Sequence, residues 1–87
     1  MKKIIFRFPT TKRDKIIGEN MLNTVQMNLN LANTWCRNGD GTYTILGCEL
    51  IENAYHTYKL AAKRLGFRNV SDMEEYRIRH GLDLITF

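Results

Sequence analysis

The stretch Asn38-Gly39-Asp40-Gly41-Thr42 lies between two segments with helical spacing and has the look of a calcium-binding loop. An EF-hand loop needs oxygen ligands at alternate early positions, a glycine at its sharp turn and a bidentate glutamate at its end. With Gly41 as the turn glycine, the loop begins at Cys36 and ends at Gly47, so both anchoring carboxylates are missing. With Glu49 at the end, Asn38, Asp40 and Thr42 supply oxygens, but Tyr43 occupies the glycine position. Both registers fail, and the stretch reads as a tight turn.

The side chains suited to zinc are Cys36, Cys48, His56 and His80. Their spacing forms no knuckle or finger, and no Cys-x-x-Cys pair presets half a site, so no metal and no cofactor are expected. The two thiols fit buried cysteines in a reducing compartment, with a single disulfide between them as the alternative. His56 follows Glu52 by one helical turn, a spacing that could orient an imidazole for proton transfer. The same spacing makes ordinary surface pairs, and nothing places a nucleophile beside it. No glycine loop for phosphate is present either. The chain is expected not to be an enzyme.

Residues suited to contact rather than chemistry are more numerous. Lys59, Lys63, Arg64, Arg68, Arg77 and Arg79 gather toward the ends of the last two helical segments. Cations there complement the helix dipole, which explains them without a partner; together they could also make one positive surface. Asn23, Gln26, Asn30 and Asn33 form an amide stripe along one helical face, with donors and acceptors but no charge to desolvate. A compositional bias toward asparagine gives the same stripe. Trp35, the only tryptophan, is either a core residue or an exposed anchor of the kind that dominates interfaces. Residues 55–80 resemble a degenerate helix-turn-helix: Ala62 and Gly66 have its small-residue spacing, and Met73 and Tyr76 fall on the inward side of the second helix. Asp72, Glu74 and Glu75 at the start of that helix would repel phosphate.

These residues need elements to hold them. Residues 2–8 alternate, with Ile4, Phe6 and Phe8 on one side and Ile5 and Arg7 on the other, which predicts a strand ended by Pro9. Thr11 and Asp14 have capping-box spacing. Residues 12–33 fit two templates: Val25, Met27, Leu29 and Leu31 alternate as in a strand, but Ile17, Met21, Leu22, Val25, Leu29 and Ala32 share one helical arc. The helical template covers more of the segment and is preferred. Residues 34–46 predict a hairpin turning at Gly39-Asp40, with Cys36 opposite Tyr43 and Trp35 opposite Thr44. Ile51, Tyr55, Tyr58, Ala62 and Leu65 mark a helix that stops at Gly66. A further helix opens at Ser71 with Glu74 completing its cap and closes at Gly81. Residues 82–87 predict a last strand paired beside residues 2–8.

The expected fold is therefore α+β, a small antiparallel sheet in β-α-β-β-α-α-β order with helices packed on one face, in a single compact domain of 87 residues. A chain this short holds one core but no deep catalytic cavity as well. No run is apolar and long enough to span a membrane, and Arg7 and Pro9 interrupt the only leader-like start, so a cytoplasmic setting is expected. The net charge of +4 favours acidic partners. The reading is a small basic binding protein that docks on an acidic face of another protein and acts by occupying it. Inhibitors and adaptors of viruses and mobile elements share this size. Nucleic-acid binding through residues 55–80 is the alternative, and an unpartnered apolar face could be covered in a homodimer.

Overall fold

The computed structural model describes residues 5–87 and contains three helices: α1 (Lys12–Trp35), α2 (Ile45–Arg64) and α3 (Val70–Arg79). α1 starts as its spacing predicts. The Thr11 hydroxyl accepts the Asp14 amide at 3.1 Å, and the Asp14 carboxylate accepts the Thr11 amide at 3.4 Å. Once nucleated there, Gly18, Leu22, Val25, Leu29 and Ala32 fall on one buried line, and the helical period prevails over the alternation in the same segment. Met27 and Leu31, which the strand pattern groups with Val25 and Leu29, are exposed.

α1 and α2 form an antiparallel pair that carries most of the core. Gly18 sits where α1 meets the end of α2, and a β-carbon there would lie 2.6 Å from the Leu65 side chain. The glycine sets that close approach. From α2, Ala54, Tyr58, Ala61 and Ala62 are buried, and Leu65, Phe67 and Met73 complete the cluster with Leu22, Val25 and Leu29. Alanines on one face of α2 let the two backbones approach, while leucine and tyrosine fill the remaining space. Tyr55 and Ile51 lie outside the most buried line; Tyr55 is exposed. Gly66 ends α2 at φ +92°, and an added β-carbon would lie 2.5 Å from the Phe8 carbonyl oxygen. Both constraints require glycine.

The expected α+β architecture is overturned. Among the described residues there is no strand and no sheet, only two isolated bridges, Arg7 with Phe67 and Arg37 with Tyr43. The fold is all-α. Residues 2–4 of the first expected strand lie outside the described residues. Its remainder is extended but spends its hydrogen bonds on the turn after α2: the Phe8 amide donates to Gly66 O at 2.6 Å and Arg7 Nε to Leu65 O at 3.0 Å. Arg7 also stands 5.0 Å from the centre of the Phe67 ring and 4.7 Å from that of Tyr76, closing the segment over the core. Residues 82–87 form no strand beside it. The tail runs elsewhere, and Phe87 rests on Tyr55 and Tyr58 with ring centres 5.4 and 5.1 Å away.

The expected hairpin shrinks to a loop because both its ends are taken by helices. α1 continues through Trp35, and the Thr44 hydroxyl accepts the Gly47 amide at 3.1 Å, capping α2 and drawing Ile45 and Leu46 into it. The pairing left over places Arg37, not Cys36, opposite Tyr43. α3 likewise begins earlier than expected, capped by Asn69, whose side-chain oxygen accepts the Asp72 amide at 2.8 Å, and Gly81 follows it at φ +67°. Cys36 and Cys48 are both free thiols; Cys36 is buried as expected and Cys48 is exposed. No helix is long and apolar enough to cross a membrane among the described residues.

Candidate functional site

The loop between α1 and α2 turns its side-chain oxygens on itself. Asp40 Oδ1 accepts the Thr42 hydroxyl at 2.7 Å and the Thr42 amide at 3.0 Å, and these bonds hold its carboxyl below the usual range, the hydroxyl contributing most. Asn38 donates to the Thr42 hydroxyl at 3.0 Å. Arg37 packs 4.4 Å from the centre of the Tyr43 ring and donates to Gly41 O and to Asn33 Oδ1, both at 2.7 Å. The tight-turn reading holds. Asn33 is thereby drawn out of the amide stripe, because its oxygen also accepts the Tyr43 hydroxyl and its amide donates to Leu29 O.

Four of the six cations are held in ion pairs. Arg64 pairs with Asp14 at 3.0 Å, Arg77 with Glu19 at 3.2 Å and Arg79 with Glu75 at 3.0 Å. The Arg64 hydrogen bond is the main reason that Asp14 titrates below its ordinary value, with Thr11 adding to it. Arg68 holds the fully buried Asp72 at 2.9 Å. Lys59 and Lys63 make no ion pair among the described residues. They line a groove of about 350 Å³ with Tyr55, Arg68 and Val70, beside the start of α3. The Lys59 ammonium lies 4.6 Å from the centre of the Tyr55 ring. An apolar floor of Tyr55 and Val70 under a cationic rim suits an acidic, partly apolar ligand.

α1 presents a second surface on the side away from α2. Met27, Leu31 and Trp35 recur every four residues and are 64%, 45% and 79% exposed. With Asn30 and Thr34 they line a shallow groove. No charged residue occurs from Asn20 to Cys36, so this face is neutral throughout. Trp35 is thus an exposed residue, not a core one. Of the amide stripe, Gln26 donates to Asn30 at 2.9 Å, while Asn23 and Gln26 line a different cleft with Arg77 and the chain's tail. Sequence reasoning missed Met27 and Leu31 as surface residues; their spacing with Trp35 and the uncharged run are the signals that point to them.

Residues 55–80, which resemble a degenerate helix-turn-helix, place two of the inward positions of that motif against the core. Met73 is fully buried and Tyr76 packs on the core, as that motif requires. Gly66, however, serves the approach of the N-terminal segment and not a helix crossing. Asp72 is buried against Arg68 and is withdrawn from the face that would meet DNA, where Glu74 and Glu75 remain partly exposed. Among the described residues, no group of three or more His, Cys, Asp or Glu side chains could hold a metal ion. The class these features define is an all-α protein, with three helices among the described residues. No family model matches the chain, and no curated protein or solved structure matches it significantly.

Proposed function

We propose that this chain is a non-enzymatic binding protein that takes an acidic segment of another protein into the groove between α2 and α3, and acts by occupying that partner as an inhibitor or adaptor. The observation that carries the reading is the pair Lys59 and Lys63, without an ion pair among the described residues, on one side of α2, above an exposed Tyr55 ring and beside Val70. Carboxylates of the partner meet the ammonium groups, and its apolar side chains meet the tyrosine and valine. Arg68 forms a wall, held in place by Asp72. A nucleic acid would find the same lysines; what favours a peptide is the floor of Tyr55 and Val70, which apolar side chains of a partner can cover. A cytoplasmic setting belongs to this reading and is supported by the two free thiols.

The test is a salt-dependent binding titration with four probes: a peptide rich in Glu, Asp and Phe, duplex DNA, single-stranded DNA and RNA. The peptide should bind, weaken as salt rises, and lose about tenfold in affinity when Lys59→Glu and Lys63→Glu are combined. Tight binding of a nucleic acid at about 150 mM salt, lost in the same double variant, replaces the protein-docking reading with the nucleic-acid one. Silence toward all four removes the groove as a binding site.

A further inference from the structure

The outer face of α1 poses a different problem from the cationic groove. Its exposed side chains are large and apolar, and it offers no charge to steer or hold an acidic partner. The chain as a whole also exposes more surface than its mass warrants. Its accessible area is 6251 Å², against about 5,300 Å² for a folded monomer of 10.2 kDa. The radius of gyration is 14.6 Å, against about 12 Å for a compact chain of this length. The body is a slab of 45 × 32 × 18 Å. The surplus, about 900 Å² over the whole chain, is of the size that one subunit contributes to a stable interface, about 800 Å², and the exposed outer face of α1 is one part of it.

We infer that the uncharged outer face of α1 pairs with the same face of a second copy, as a two-fold, antiparallel helix pair centred on Leu31. The symmetry follows from the spacing. Met27 and Trp35 stand equally far on either side of Leu31, so an antiparallel partner sets Leu31 against Leu31 and each Met27 against the other chain's Trp35. Thioether against indole is a favourable contact, and each tryptophan contributes about 150–250 Å² of area. Asn30 and Thr34 share the groove and bring an amide and a hydroxyl to its margin.

Charge selects the occupant. Two copies at +4 each repel, so they can meet closely only where neither carries charge, and the run from Asn20 to Cys36 is the longest uncharged stretch in the chain. Raising the salt therefore tightens the pair or leaves it unchanged, the opposite of its effect on an acidic ligand in the α2–α3 groove. The two surfaces are separate, and either can fail without the other.

Sedimentation equilibrium on the full chain over a range up to about 100 µM tests the pairing, since interfaces of standard size hold at micromolar concentrations or below. The wild-type chain should be a dimer. Leu31→Asp places two carboxylates against each other on the two-fold axis and should weaken the pair about 1,000-fold, leaving a folded monomer with an unchanged helical circular-dichroism spectrum. Ile78→Asp, an equally polar change at an exposed position on α3, should leave the dimer intact. In a Cys48→Ser background, a short bismaleimide should join Leu31→Cys chains to each other, and should join Met27→Cys to Trp35→Cys in a mixture but neither to itself. A wild-type chain that stays monomeric across the range overturns the inference. So does a dimer that Leu31→Asp leaves unchanged, or one whose cross-links do not centre on Leu31.

Discussion

Along α1, Leu22, Val25, Leu29 and Ala32 face α2 and are buried, while Met27, Leu31 and Trp35 on the same helix face outward and are exposed. The two lines hold similar amounts of apolar side chain and both repeat at helical spacing. Hydrophobicity alone does not distinguish them. What differs is the matching surface: the inner line meets small residues of α2, Ala54, Ala61 and Ala62, which let a second helix come close. Nothing in the described residues does this for the outer line. A face that is apolar, regular and uncharged but uncovered lies on the path from folding to binding, because the same physics that buries the inner line favours covering the outer one.

The sharpest way to break this comparison is to truncate each line in turn. Leu29→Ala should destabilise the chain by about 2–5 kcal/mol, the range for a buried leucine that leaves a cavity, with the larger part of that range if α1 and α2 cannot close on the gap. Leu31→Ala, two positions on, should change the stability of the monomer by no more than about 0.5 kcal/mol. Urea unfolding at low protein concentration, below the range in which chains pair, reads both. Equal losses at the two positions would mean that Leu31 is buried in the single chain.

The inner interface has one polar flaw, and pH reads it. Tyr58 is 2% exposed and its hydroxyl has no hydrogen-bond partner among the described residues. Burial pushes its pKa from 10.0 up to about 12, with the nearby Glu74 charge adding to the shift. The unfolded chain therefore loses this proton before the folded one does. Stability is fully present below pH 10, where both states keep the proton, and falls as the pH rises toward 12, by about 2–3 kcal/mol in all. Tyr58→Phe removes that part of the alkaline decline, and because it deletes an unpaired hydroxyl it should raise stability at neutral pH by up to about 1 kcal/mol. A variant whose alkaline decline matches the wild type would mean that the hydroxyl finds water in the folded chain.

Much of the helical frame was legible, and for local reasons. Thr11 with Asp14, the buried line of α1, and the glycines at 66 and 81 are each decided by neighbours within a turn or two. The sheet was misread because alternation reports only that a segment is extended with two unlike sides. In residues 5–8 that is so, but the hydrogen-bond partner is the turn at Gly66 and Phe67, and no local pattern separates a turn partner from a strand partner. Tyr43-Thr44-Ile45 reads as β-favouring, yet Thr44 caps a helix, a role that the following glycine amide makes possible. Trp35 could not be placed from its type. Its exposure depends on where α1 ends relative to α2. The cations were individually visible, but which of them stay unpaired depends on Asp14, Glu19 and Asp72, residues brought to them by the fold or by the next helix start.

The smallest effects belong to the polar fringe of α1, and they separate capping from ion pairing. Thr11→Ala removes the hydroxyl that accepts the Asp14 amide and should cost about 1 kcal/mol, as helix caps do. Arg64→Ala removes only a surface ion pair with Asp14, and its cost should lie below that of the cap, at about 0.2–1 kcal/mol, fading as salt rises. Both changes also act through pH. The Asp14 carboxyl titrates below its ordinary 3.8, so its contribution is present above that pH and is lost as the pH falls through the lowered folded value. Arg64 is the larger cause of that depression and Thr11 the smaller, so Arg64→Ala should bring the titration of Asp14, followed by carboxyl NMR, back toward 3.8 more than Thr11→Ala does. The order for stability is the reverse of the order for titration, because a cap organises the backbone whereas the ion pair acts mainly on the charge. If one variant leads in both measurements, the two roles assigned to the fringe of α1 are one.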